Sequence, residues 1–217
     1  MRGDRLLIEM HHRTAAVALA DRLQHMPPGA GGPRIVTIAG ESGAGKSETA
    51  AALAEELDRR KLQTRILQQD DYFEFPPKTN AARRREDITR VGPQEVRLDL
   101  LTEHVNRIRR GDTLIETPLV IYDEDRIDCQ TIDLSGIHVV IVEGTYTSLL
   151  EPVDLHVFID RTNRETQATR SARAREPQTE FLERVLEIEH EIIASHKERA
   201  DVVIASDYTV AEPGNGS

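Results

Sequence analysis

Eight consecutive residues, Gly40-Glu41-Ser42-Gly43-Ala44-Gly45-Lys46-Ser47, have the types and spacing of a phosphate cradle. They match the pattern Gly, four spacers, Gly-Lys-Ser/Thr at every fixed position. Glycines let the backbone curl so that successive N–H groups point at phosphate oxygens, and a helix opening at the last residues adds its positive dipole end. Lys46 supplies an ammonium to the outer phosphates, and Ser47 offers a hydroxyl to Mg²⁺. The nucleotide-binding set is therefore Gly40 through Ser47, with Glu48 at the start of the helix.

Carboxylates stand where such a cradle needs them. Glu143 follows the apolar run Val139–Val142 and precedes Gly144. A carboxylate at the C-terminal end of a parallel strand faces the ligand crevice, so Glu143 can complete the Mg²⁺ site that Ser47 begins. Asp70 and Asp71 end another strand candidate in Gln68-Gln69-Asp70-Asp71-Tyr72-Phe73. Extended neighbours point to opposite faces, so one of the two faces the phosphates; the sequence leaves open which. A carboxylate there can accept a hydroxyl proton and orient the oxygen for in-line attack on a terminal phosphate. Arg83-Arg84-Arg85 is balanced by Glu86-Asp87 and reads as a solvated loop, though its place near the acceptor leaves an anionic acceptor open. His11-His12 has no further ligand at metal spacing, and Cys129 has no matched His motif around it.

The elements that must position these groups alternate. The spacing predicts a helix over 5–26, with Leu19, Leu23 and Met26 at i, i+4 and i+7, ended by a Pro/Gly run at 27–33. Strands are expected at 35–39, 62–69, 137–142, 155–159 and 202–204. Helices are expected at about 47–61, 93–109 and 162–199, the last interrupted near Pro177. Residues 74–92 read as irregular, and 113–133 as short strands with turns. Continuous apolar strands alternating with helices mean a mainly parallel sheet covered on both faces, a three-layer α/β fold. Residues 1–33 are expected as a helix and linker, 34–210 as the main domain and 211–217 as a loose tail.

Composition narrows the function. The 217 residues carry 38% hydrophobic and 30% charged side chains, a globular balance. A net charge of −10 and a pI of about 5.3 argue against general binding to nucleic acid or anionic membranes. The apolar runs are too short to span a bilayer, and acidic residues interrupt any leader at the N-terminus. A single cysteine excludes an intrachain disulfide and suits a reducing compartment, so the cytoplasm is expected.

Together these elements resemble the uridine kinase and phosphoribulokinase family of P-loop kinases. The resemblance rests on the Gly40–Ser47 loop, Gln69-Asp70-Asp71-Tyr72-Phe73, Tyr122-Asp123, Val142-Glu143-Gly144, Arg170 with Arg173, and Ala200-Asp201-Val202-Val203-Ile204. It implies a P-loop NTPase fold with a short helical lid, ATP (or GTP) with Mg²⁺, and a small-molecule acceptor. It also implies Asp70 as base and metal organiser, Glu143 as metal residue, and Arg170 and Arg173 as lid arginines beside Arg175. Acceptor contacts fall to Asp70, Tyr72, Tyr122, Arg126 and Arg175. Homo-oligomer formation is left open.

The chain departs from the family on the acceptor side. Uridine kinases carry an aromatic and an Asp for the ribose hydroxyls before the proline that aligns with Pro93; here Arg90 and Val91 stand there. Their base-reading His is replaced in the run Glu124-Asp125-Arg126. Glu86, Asp87 or Glu95 are candidates for the missing carboxylate, and an alcohol other than uridine or cytidine is expected as acceptor. Other functions share the cradle. A GTPase switch needs N-K-x-D, which is absent, and Asp133–Gly136 precedes its strand instead of following it. A non-catalytic regulator would not need Lys46, Ser47, Asp70 and Glu143 together, and a toxin-type kinase of a nucleotide sugar is a further alternative.

Overall fold

The structure is a computed structural model that describes residues 6–27, 29, 31–162, 165 and 179–211. Its centre is a six-stranded sheet in the order β2-β5-β1-β6-β7-β8. The strands are β1 (Arg34–Gly40), β2 (Thr64–Gln68), β5 (Val139–Glu143), β6 (Leu155–Ile159), β7 (Val202–Ile204) and β8 (Val210–Ala211). All pairs are parallel except β7 with β8. A separate antiparallel hairpin joins β3 (Leu114–Ile121) to β4 (Arg126–Asp133). The helices are α1 (Met10–His25), α2 (Lys46–Arg59), α3 (Pro77–Glu86), α4 (Leu98–Arg109) and α5 (Glu180–Ile193).

Strand pleating divides the core. Val36, Ile38, Val139 and Ile141 face the layer of α1 and α2, while Ile35, Val140 and Val142 face Leu101, Val105 and Ile108 of α4. Side chains of one strand thus supply both faces, which is why these strands read as unbroken apolar runs. A smaller cluster of Ala39, Phe158, Ile193, Ala200 and Val203 seats the end of α5.

Helix α1, expected as an appendage, shares the main core. Ala15, Ala16, Leu19, Ala20 and Leu23 are all buried, and they join the cluster formed by α2 and β1. Its alanines present a small-residue face that lets the two helix backbones approach closely.

Four other regions correct the sequence reading. Residues 74–92, expected to be irregular, contain α3, which starts with Pro77 in its first turn, where a missing N–H costs nothing. The expected helix at 93–109 begins only at Leu98, because Pro93–Glu95 forms a 3₁₀ turn in which the Glu95 carboxylate accepts the Gly92 N–H at 3.1 Å. The ambiguous stretch 113–133 is one eight-residue hairpin, in register from Leu114↔Asp133 to Ile121↔Arg126. In the span expected to be helical at 162–199, α5 runs into a 3₁₀ turn at Ala194–Arg199. Arg170, Arg173 and Arg175 lie outside the described residues, as does most of the expected loose tail.

Candidate active site

The phosphate loop leaves β1 at Gly40 and enters α2 at Lys46 through Gly45, whose φ of 95° is left-handed. Glycine is needed there twice over. A Cβ would be strained at that φ and would stand 2.4 Å from the Tyr208 hydroxyl. That hydroxyl donates to Ala44 O at 3.1 Å, lies 3.1 Å from His12 Nε2, and accepts from Arg161 Nη1 at 2.9 Å. The first helix and the segment after β7 therefore back the loop from behind. In front, Lys46 Nζ donates to Glu41 O at 2.8 Å, and Glu41 Oε1 meets His190 Nδ1 of α5 at 2.6 Å. Glu48, assigned to the nucleotide set, is buried in the first turn of α2.

Strand register brings the acidic groups to this loop. Glu143 pairs with Ile38 on one side and Gln68 on the other. Its Oε1 accepts from Ser47 Oγ at 3.1 Å and Gln68 Nε2 at 3.2 Å. Burial, reinforced by the charge of Asp70, pushes the Glu143 carboxyl up to about 7, against the pull of Lys46, Ser47 and Gln68. Gly144 then makes room for Gln69: a Cβ there would stand 2.2 Å from Gln69 Cβ, and Gln69 Oε1 accepts the Tyr146 N–H at 2.7 Å. Gln69 thereby locks its own turn onto the end of β5, which fixes Asp70 beside Glu143.

The two aspartates separate cleanly. Asp70 is partly exposed and lines a cavity together with Ser42 of the loop. Asp71 is buried, and its Oδ1 accepts the Val120 N–H of β3 at 2.9 Å. Burial raises the Asp71 carboxyl above the usual range. Asp70 faces the cavity beside the phosphate loop, and Asp71 anchors the hairpin.

Ser47 Oγ and Glu143 Oε1, with Asp70 close by, form the all-oxygen donor set that suits a hard cation such as Mg²⁺. A buried carboxylate beside a second one is the electrostatic situation that such a cation relieves. The His11-His12 pair gains a neighbour that the sequence reading missed: ligand atoms of Glu9, His11 and His12 lie within 4.8 Å of one another. His12 is already committed, however, with Nδ1 accepting the Glu9 N–H at 3.0 Å and Nε2 against Tyr208.

The cavity beyond Asp70 measures about 220 Å³. Its other walls include Tyr122 from the end of the hairpin, Asn80 and Arg84 from α3, and Phe181 and Glu189 from α5. The hairpin reaches α3 because Asp125 accepts the Lys78 N–H at 2.7 Å and the Thr79 hydroxyl at 2.7 Å, placing a carboxylate at the helix N-terminus. Two expected acceptor residues are elsewhere. Tyr72 is buried in the core against His104 Nδ1 at 2.9 Å, because the turn that presents Asp70 points the following residues inward. Arg126 sits at the hairpin tip, paired with Glu124 at 3.0 Å and Asp128 at 2.6 Å.

Arg83, Arg84 and Arg85 are not a loose basic loop. Arg83 stacks 4.1 Å over Phe75, Arg85 lies 5.5 Å over Phe181, and Arg84 forks onto Glu95 at 2.7 and 2.8 Å. Burial works against the Arg84 charge, but the Glu95 hydrogen bonds and the Glu189 charge outweigh it and raise its pKa. Asn80 and Glu189 escaped the sequence reading, and Arg84 was read there only as part of a solvated run near the acceptor. Glu189 left one signal: it falls on the buried stripe Val185, Leu186, Glu189, Ile193 of α5, where a carboxylate needs a reason.

Residues 35–209 match the model of the phosphoribulokinase/uridine kinase family. Among curated proteins, the chain is 27% identical over 192 residues to the bifunctional α-galactosidase/sucrose kinase AgaSK of Mediterraneibacter gnavus, covering 82% of this chain and 20% of that protein. It is 30% identical over 135 residues to the uridine kinase of Mycoplasma pneumoniae, covering 60% of this chain and 62% of the relative. The chain thus spans less than two thirds of either relative. Among solved structures, a possible uridine kinase from Bacillus stearothermophilus superposes with a TM-score of 0.67 at 18% identity, over 89% of this chain and 99% of that one. That likeness bears on the fold, a mainly parallel sheet with helices on both faces. With a family model covering most of the residues and the loop, Gln69-Asp70 and Glu143-Gly144 elements packed into one site, the chain belongs to the phosphoribulokinase/uridine kinase family.

Proposed function

We propose that this protein is a small-molecule kinase that transfers the γ-phosphoryl group of ATP to a hydroxyl of its acceptor. The observation that carries the reading is that Asp70 and the phosphate-loop residue Ser42 line one cavity, beside the bonded pair Ser47 and Glu143. Lys46 and the loop N–H groups hold the phosphates and neutralise charge spreading over the transferring group. Ser47, Glu143 and Asp70 would hold Mg²⁺, which would supply positive charge against the phosphates. Asp70 takes the proton of the acceptor hydroxyl as its oxygen attacks the γ-phosphorus and ADP departs. The family resemblance assigns Arg170 and Arg173 to the lid arginines over the phosphates and Arg175 to the acceptor; all three lie outside the described residues. ATP is placed ahead of GTP because the guanine-reading N-K-x-D is absent from the sequence. The one cysteine, Cys129, is exposed, in keeping with a reducing cytoplasmic setting.

Uridine is not assigned as the best acceptor. The position of the ribose-binding carboxylate is Val91, which is buried, and Arg90 is paired with Glu74 at 3.2 Å. Of the candidate replacements, Asp87 accepts from Thr89 at 2.6 Å and Glu95 is held by Arg84 at 2.7 Å. A site without the matching polar partner loses discrimination for that ligand. The test is acceptor-dependent ADP release by purified protein across alcohols including uridine and cytidine. Release with some acceptor, abolished by Asp70→Asn, supports the kinase reading. Nucleotide binding without release for any acceptor favours a regulatory role, and uridine or cytidine as clear best substrate restores the plain family acceptor.

A further inference from the structure

In and beside the acceptor cavity are buried polar atoms that no described residue satisfies. Asn80 gives its Nδ2 to Glu95 Oε1 at 3.0 Å. A carboxylate only accepts, so this bond fixes the amide orientation and turns Asn80 Oδ1 away from Glu95. Among the described residues that Oδ1 has no partner, and neither does Glu189 Oε2 nor the hydroxyl of Tyr146. Asn80 and Glu189 are 6% and 8% exposed, and both line the cavity. Glu189 shares this cavity with Asp70 and Ser42 of the phosphate loop. Buried acceptors left without donors are costly, and native proteins keep them where a ligand supplies the donor.

The local charge points the same way. Glu95 holds Arg84 in a two-pronged pair and has no exposed side-chain surface, so the Arg84 charge is already answered. Arg84 reaches Glu189 Oε1 only at 3.5 Å. Among the described residues, the cavity is lined by the carboxylates of Asp70 and Glu189 and by two guanidinium groups, Arg84, which Glu95 already holds, and Arg85, which lies over Phe181. A phosphate or carboxylate on the acceptor would bring oxygen acceptors to oxygen acceptors. Hydroxyls bring donors, and the faces of Phe73, Phe181 and Val185 suit the C–H surface of a sugar.

We infer that Glu189 and Asn80 read the hydroxyls of the acceptor and that the acceptor is an uncharged sugar or polyol. The inference rests on the kinase reading and deepens it by naming the substrate class.

Two measurements test it. The first compares kcat/KM for D-fructose, sucrose and myo-inositol with that for D-glycerate, D-fructose 6-phosphate and D-ribulose 5-phosphate. The uncharged group is expected to lead by tenfold or more; an acidic compound in the lead overturns the inference while leaving the kinase reading intact. ADP release with no compound of either group, under conditions where ATP binds, overturns both. The second takes Glu189→Gln and the shorter Glu189→Asp with the best uncharged acceptor. The acceptor KM should rise about tenfold in Glu189→Gln, with a smaller rise in Glu189→Asp and the ATP KM within twofold of wild type. Two variants give an answer even if one does not fold. An unchanged acceptor KM, or equal losses for ATP and acceptor that track the thermal midpoint, means that Glu189 only supports the fold and overturns its role.

Discussion

The two halves of the site are built by different rules. The phosphate side is one loop and one helix start, eight residues in a row from Gly40 to Ser47, with a glycine at 45 because Tyr208 and His12 fill the space that a Cβ would need. The acceptor side is assembled from Asp70, the hairpin, α3 and α5, segments more than 100 residues apart in sequence, such as Arg84 and Glu189 at a separation of 105. Phosphate binding needs backbone N–H groups in a fixed curl, and a local motif supplies that. Reading an acceptor needs side chains converging from several elements, and no local spacing records it. A fixed chemical task and a variable one are thus separated physically within one cleft.

Changes on the phosphate side should act on the chemistry. Asp70→Asn is expected to lower kcat by about 10²–10⁴-fold while nucleotide affinity stays within about threefold, since Asn keeps the shape but takes no proton. If turnover survives, or nucleotide affinity falls in parallel, Asp70 is not the base. Lys46→Ala should lower kcat by about 10²–10³-fold with an unchanged thermal midpoint, because its ammonium serves phosphate charge and not packing. Near-normal turnover in a stably folded Lys46→Ala protein would remove the loop from the mechanism.

Glu143→Gln is expected to raise the Mg²⁺ concentration for half-maximal activity by about tenfold, as a hard cation loses its charged oxygen. A Mg²⁺ titration that superposes on wild type would return Glu143 to a structural role. The smallest catalytic effect belongs to Asp71→Asn, whose parent carboxylate holds Val120. It should leave kcat within about threefold and lower stability by about 1–3 kcal/mol, read from urea unfolding. If Asp71→Asn damages turnover more than Asp70→Asn, the division between the two neighbours is reversed.

Legibility in the sequence followed the same division. The Gly40–Ser47 loop and the parallel strands were readable because local spacing and unbroken apolar runs fix them. Which of Asp70 and Asp71 faces the phosphates was not, because the chain turns in a 3₁₀ helix at Gln69–Tyr72 and strand alternation does not apply there. That same turn carried Tyr72 into the core and away from the expected acceptor role. Helix α3 was hidden by its charges: Arg83, Arg84 and Arg85 look like a solvated run until Phe75, Glu95 and Phe181 arrive from elsewhere. Helix α1 looked separable because a Pro/Gly run follows it, yet its alanine face is complementary to α2, and complementarity between distant helices leaves no periodic trace.

The contact between His12 and Tyr208 joins residues 196 positions apart and closes on the backbone of the phosphate loop. Bringing such distant points together carries a loop-closure entropy that is recovered only once the intervening chain has packed. During synthesis, the loop emerges well before its rear support, which does not exist until the segment carrying Tyr208 has left the ribosome. The rear wall of the phosphate loop is therefore a late product of folding, although the loop itself is an early stretch of sequence.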